Sequence, residues 1–151
     1  MSLIANNKKA SFAYHILEKI EAGLVLEGHE VKSLRFGKVS ISEAYAEADK
    51  GELWLINADI SYYSNSPKFY SYNPKRIRKL LVRRREINKI QGKIEKEGMT
   101  IIPLRLYFNS RGFVKIEIAV AKGKKLYDKR QVKKTRDWNR EKARLLSKNN
   151  K

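Results

Sequence analysis

Between residues 102 and 120 large aliphatic side chains recur at every second position on both sides of one polar break. Ile102, Leu104, Leu106 and Phe108 are followed by the turn-forming Asn109-Ser110-Arg111-Gly112, and Val114, Ile116, Ile118 and Val120 resume the same period with Lys115 and Glu117 on the opposite face. A period of two belongs to a strand with one buried face, and a short Gly-containing break between two such runs is a hairpin. The fold must therefore contain antiparallel sheet.

A second hairpin is predicted upstream. Ile41, Glu43, Tyr45 and Glu47 alternate with Ser42, Ala44, Ala46 and Ala48, then Asp49-Lys50-Gly51 turns the chain and Leu53-Trp54-Leu55-Ile56 returns. Residues 12–26 read as a strand bent or bulged at Gly23. Residues 27–36 read as a short helix, with Val31 and Leu34 three apart and Gly37 as its stop. Residues 61–74 hold Tyr62, Tyr63, Phe69, Tyr70 and Tyr72 among Ser, Asn and two Pro, so periodicity fails and a long loop is expected. Beyond Pro74, Ile77, Leu80, Leu81, Ile87, Ile90 and Ile94 fall at helical spacing, which predicts a helix ending at Gly98 and divided at Gly92. Hairpins with helices inserted between them suit a small closed barrel better than a parallel sheet. The expected class is mainly β with peripheral helices: an OB-like antiparallel β-barrel followed by a basic C-terminal tail.

A chain of 151 residues fits one domain plus a tail, and 42% hydrophobic residues suffice for a core. Its 34 Lys and Arg against 16 Asp and Glu leave +18, a surplus that repels itself unless a polyanion neutralises it. Nucleic acid is the leading polyanion. A membrane surface is the rival, but no run of about 18 apolar residues, lipidation pattern or signal peptide is present, so a soluble cytoplasmic protein is expected. Without cysteines there are no disulfides, thiolate nucleophiles or cysteine zinc sites.

Charge also divides the chain. Residues 124–151 hold 12 basic against 3 acidic residues and few large apolar ones, so this segment cannot build its own core and is expected to be disordered when free, becoming helical along RNA. Residues 1–9 are polar and basic without periodicity and read as a flexible leader. The barrel is expected to occupy residues 10–123.

The densest internal cluster, residues 75–85, carries seven cations in eleven positions on the predicted helix: either a row of phosphate contacts or a solvated face. The aromatic loop either stacks unpaired bases or covers the barrel's edge. Catalysis has little support. His15 and His29 lack metal-ligand spacing, the acids fall in no hydrolase or phosphate-transfer motif, and no Gly-rich phosphate loop or serine elbow occurs. No enzyme, metal or cofactor is expected.

Four blocks, in order and spacing, carry a resemblance: Glu21-Ala22-Gly23-Leu24; Gly28 through Arg35; Arg78-Lys79-Leu80-Leu81; and Ala121-Lys122-Gly123-Lys124-Lys125 leading to Asp128-Lys129-Arg130. Together they resemble the SsrA-binding protein family and span nearly the whole chain from Asn7 onward. The resemblance implies a six-stranded OB-like barrel that binds the tRNA-like domain of transfer-messenger RNA (tmRNA), delivers it to stalled ribosomes for trans-translation, and catalyses nothing. The implied partners are tmRNA, the small-subunit decoding region and messenger channel of the ribosome, and elongation factor Tu through the charged RNA complex.

Carried over residue by residue, the family's RNA-binding face matches Glu21, Leu81 and Lys115. Glu30, Lys32, Arg35, Arg78 and Lys79 in the motif blocks, and Lys122, Lys124 and Lys125 where the barrel ends, join them as RNA-binding candidates. Lys115 suits a phosphate; Glu21 accepts from base amino groups or 2′-hydroxyls, or else pairs with a nearby cation. Asp128, Lys129 and Arg130 match the ribosome-activating tail, where Trp138 is placed to stack on a base. The chain departs from the family pattern at Ser11-Phe12-Ala13, at Tyr72 in place of a frequent histidine, and loosely over residues 147–151. Two other classes stand beside this one: an OB-fold ribosomal protein or general single-strand binder, and a metal-dependent nuclease.

Overall fold

The computed structural model describes residues 2–63 and 72–123, with the backbone alone at residues 96 and 97. In chain order these form β1 (Ser2–Asn6), α1 (Ala10–Ala13), β2 (Tyr14–Leu24), α2 (Gly28–Arg35), β3 (Val39–Ser40), β4 (Tyr45–Asp49), β5 (Glu52–Ile56), β6 (Asp59–Ile60), β7 (Arg78–Leu81), α3 (Arg84–Glu97), β8 (Thr100–Phe108) and β9 (Val114–Gly123). The expected long loop lies partly, and the basic tail wholly, outside the described residues.

Six antiparallel strands close into a ring in the order β8-β4-β5-β7-β2-β9, the pairing of β8 with β9 completing it. Both predicted hairpins are present. β4 and β5 are joined by Lys50 and Gly51, both at positive φ (51° and 76°), the conformation that matches a two-residue turn to strand twist. β8 and β9 pair from Phe108↔Val114 to Thr100↔Ala121. Ala22, Leu53, Leu55, Leu80, Ile101, Leu106, Ile116, Ile118 and Val120 fill the ring, and Ile87 and Ile90 of α3 join the same cluster. Each such aliphatic side chain stabilises the fold by about 1.5–3 kcal/mol relative to exposure.

The segment after Pro74 departs from expectation. Residues 78–81 are a strand, with Arg78 and Leu80 turned inward, and only from Arg84 does the chain become helical. Ile77, Leu80 and Leu81 also satisfy a helical spacing, but β7 is what bridges β5 to β2, and this tertiary pairing overrides the local pattern. α3 runs through Gly92 undivided and ends as predicted at Gly98, whose left-handed backbone lets its N–H reach the Ile94 carbonyl at 3.1 Å. α2 likewise stops at Gly37, whose φ is 69°.

The leader is a further correction. Residues 2–6 form β1, which pairs with β8 from Ser2↔Phe108 to Asn6↔Arg105, while β4 takes the same edge of β8 lower down at Ala46↔Ile101. The structured unit thus begins at residue 2 rather than 10. The bulge in β2 falls between Ile16 and Glu18, not at Gly23. β8 too shifts register between Pro103 and Arg105, so its parity changes. Leu106 and Phe108 face the ring, whereas Ile102 and Leu104 face outward into a second cluster with Ala10, Ala119 and Ala121.

Candidate nucleic-acid interface

On the outer face of the barrel, register brings distant residues side by side. Gly23 of β2 pairs with Leu81 of β7 on one edge and Lys115 of β9 on the other. Glu21, two residues back on the same face, lies opposite Glu117. Lys115 in turn pairs with Tyr107, and Glu117 with Arg105, of β8. Glu21, Leu81 and Lys115 therefore share one strip. Leu81 is 53% exposed despite its size. A Cβ at Gly23 would stand 3.2 Å from the Leu81 Cβ, so only glycine leaves Leu81 undisturbed there.

Glu21 is held from beneath. The Tyr107 hydroxyl donates a hydrogen bond to Glu21 Oε2. Burial, and then that bond to Glu21, push the Tyr107 phenol up to about 12, so it remains a donor at every physiological pH. Arg105 Nη2 pairs with Glu117 Oε2 at 3.2 Å, and its Cζ lies 5.5 Å from the centroid of the Tyr107 ring. The carboxylate is thus oriented by a neutral donor and left with acceptor capacity. Tyr107 and Arg105 were absent from the sequence candidates, although both sit on the face of β8 that alternates away from Leu106.

The basic cluster does not line one helix. Lys75, Arg83, Arg84 and Arg85 are exposed, Lys79 pairs with Glu52 at 3.0 Å, and Arg76 and Arg78 turn into the protein. Arg85 and Lys89 of α3 face Lys19 and Glu21 across an open groove of about 600 Å³. Lys32 and Arg35 are exposed on α2, with Lys32 Nζ 5.7 Å from the Tyr63 ring, and Lys122 is exposed near the end of β9. Lys124, Lys125, Asp128, Lys129, Arg130 and Trp138 lie outside the described residues.

Two RNA-binding candidates are corrected by their burial. Glu30 and Arg78 are both 0% exposed, so neither presents a surface to RNA. Glu30 accepts from Arg78 Nε (2.8 Å) and Nη2 (2.6 Å), from Arg76 Nε (3.1 Å) and Nη2, from the Tyr72 hydroxyl (2.8 Å) and from the Glu27 amide (2.9 Å). Arg78 also donates to the carbonyls of Ala58 (2.8 Å) and Pro74 (2.9 Å). Burial alone would raise the Glu30 carboxyl, but hydrogen bonds from Arg76, the Glu27 amide and Arg78 bring it down to about 2. The pair ties α2 to β7. His29 packs edge-on against Tyr72 at 4.5 Å and beside Tyr62 at 4.9 Å, so these two loop tyrosines cover the network.

Residues 4–148 match the family model described as SmpB protein. The chain belongs to the SmpB family. SmpB relatives include the SsrA-binding protein of Bradyrhizobium diazoefficiens, 56% identical over 146 residues that cover 97% of this chain and 92% of the relative. Those of Nitrobacter hamburgensis and Rhodopseudomonas palustris are each 55% identical over 146 residues, covering 97% of this chain and 92% of the relative. A solved structure described as "tmRNA-SmpB: a journey to the center of the bacterial ribosome" superposes with a TM-score of 0.66 at 43% identity, covering 81% of this chain and 85% of that one. The closed ring described above is the OB-like SmpB fold.

Proposed function

We infer that this chain is the protein partner of tmRNA: an RNA-binding adaptor that joins its tRNA-like domain and brings it to stalled ribosomes for trans-translation. The observation that carries this is the near full-length identity to SsrA-binding proteins, 56% over 97% of the chain, and the likeness to the solved structure described in terms of tmRNA-SmpB and the bacterial ribosome supports it. The strip of Glu21, Leu81 and Lys115 supplies the chemistry. Lys115 and the cations of α3 neutralise phosphates, which gives affinity without sequence. Glu21, oriented by Tyr107, accepts from a 2′-hydroxyl or base amino group, and exposed Leu81 packs beneath the RNA. Binding and delivery, without turnover, are the whole activity in this reading. Residues 124–151, with Lys124, Lys125, Asp128, Lys129, Arg130 and Trp138, serve the ribosome's messenger channel, and elongation factor Tu meets the chain through the charged RNA. In this reading the chain works in the cytoplasm, alongside the ribosomes it serves; separately, among the described residues no helix is long and apolar enough to cross a membrane.

Competition between tmRNA, ordinary tRNA and unstructured RNA tests this. All affinities are expected to fall steeply from about 50 to about 200 mM salt, while the preference for tmRNA persists. Loss of that preference would move a ribosomal or single-strand binder ahead. A finer expectation concerns Tyr107→Phe, which removes the donor to Glu21 but no charge. Affinity for the tRNA-like domain should drop about fivefold or more with the salt slope unchanged, as measured by fluorescence anisotropy.

A further inference from the structure

We propose that a polar groove between the leader and the outer face of β2, β8 and β9 is a second RNA-contact site, which takes one ribonucleotide unit: its phosphate on Arg105, Lys8 and Lys19, and one of its donors on Asn7. The groove, of about 550 Å³, is lined by these four residues with Asn6 and Glu117. It adjoins the strip already described, because Lys19 stands two residues before Glu21 on the same face of β2 and Arg105 pairs with Glu117.

Two buried atoms in this lining lack a protein partner, Nε of Arg105 and Oδ1 of Asn7. Neither is free to turn away. Arg105 is pinned by Glu117 at 3.2 Å and by the Tyr107 ring, which leaves the Nε edge over. Asn7 is only 8% exposed, its side-chain nitrogen donates to the Pro103 carbonyl at 2.8 Å, and its backbone N–H donates to the Leu104 carbonyl at 2.7 Å. The amide orientation is thereby set and Oδ1 is the atom left over. The two sites are neighbours, since Asn6 is the register partner of Arg105.

The remaining donor is cationic and the remaining acceptor is neutral, so a matching ligand carries an anion and a donor close together. A ribonucleotide offers both, in its phosphate and its 2′-hydroxyl. Inorganic phosphate offers only the first. Lys8 and Lys19 add the positive field that draws a phosphate to this position.

The site rests on the RNA-binding reading, and one set of titrations separates the two. The full chain is titrated with the tRNA-like domain of tmRNA over a salt series. Arg105→Gln is expected to weaken binding about tenfold and to lower the log–log salt slope by about one, with the melting temperature as a check on folding. Arg105→Lys keeps the charge but not Nε, and is expected to keep the slope while losing most of the affinity. Single 2′-deoxy substitutions along the RNA are expected to reveal one position that costs wild-type protein about fivefold and costs Asn7→Ala nothing further. Wild-type slope and affinity in Arg105→Gln, or no 2′-position coupled to Asn7, would overturn the site. Wild-type protein that fails to prefer tmRNA would instead overturn the reading beneath it.

Discussion

Glu30→Ala is expected to destabilise the barrel by about 3–5 kcal/mol, because it leaves the buried Arg78 guanidinium without its counter-charge. Glu30 and Arg78 are both fully buried and joined by two hydrogen bonds. On a domain of this size the loss lowers the melting temperature by at least about 10 °C, which calorimetry or circular dichroism reads directly. Arg78→Ala should cost a similar amount, and the double variant less than the sum of the two, since each single change removes the same pair. A melting temperature within a few degrees of wild type in both single variants would mean that water reaches the pair and the network holds little.

Acid gives the same network a second signature. The folded Glu30 carboxyl is depressed from 4.5 to about 2, so its ionised form stabilises the protein above the unfolded value. The sign follows from linkage: below pH 4.5 the unfolded chain takes up the proton first, and the contribution fades as pH falls towards 2. Glu30→Gln should flatten stability over that window. A wild-type stability curve already flat there would dismiss the network as an acid-sensitive element.

Removal of residues 124–151 is expected to abolish rescue of stalled ribosomes while preserving discrimination for tmRNA. All of the described core and the Glu21–Leu81–Lys115 strip lie before residue 124, and half the net charge, +9 of +18, lies beyond it. Affinity for every RNA should therefore weaken and its salt slope flatten, but the ratio between tmRNA and tRNA should hold. Tagging of a truncated peptide in a reconstituted translation system should drop to background. If truncation erased the preference as well, the tail would belong to the RNA site and the division of labour would be wrong.

What the sequence revealed follows the reach of each interaction. The β4–β5 and β8–β9 hairpins, the stop of α2 at Gly37 and the end of α3 at Gly98 are set by residues next to one another, and each was legible from period and turn chemistry. β7 was not. Ile77, Leu80 and Leu81 fit a helix locally, and what makes residues 78–81 a strand is the need of β5 and β2 for a shared neighbour. β1 was missed for the same reason, since its partner in β8 lies about a hundred residues on. Arg78 looked like a phosphate contact because its charge was visible and its partner, Glu30, 48 residues upstream, was not. The outward orientation of Lys115 was legible from alternation, while the grouping of Glu21, Leu81 and Lys115 as one RNA-binding face came from the family resemblance. Arg105 and Tyr107 carried a usable signal, alternation against Leu106, but the bulge near Pro103 changes parity within β8 and hides which face they take.

The way the ring closes has a consequence for how the chain comes into being. β1 and β2 are made first, yet Ser2 pairs with Phe108 and Tyr14 with Gly123. β1, and all of β2 except its last two residues, must wait for β8 and β9, and barrels dominated by such distant pairings fold in milliseconds to seconds rather than microseconds. Until residue 78 is added, α2 carries a carboxylate whose buried guanidinium partner has not yet been joined to the chain. An unfinished copy of this chain would hold open, unpaired strand edges of its own, so it depends on complete synthesis as strictly as the messages it serves.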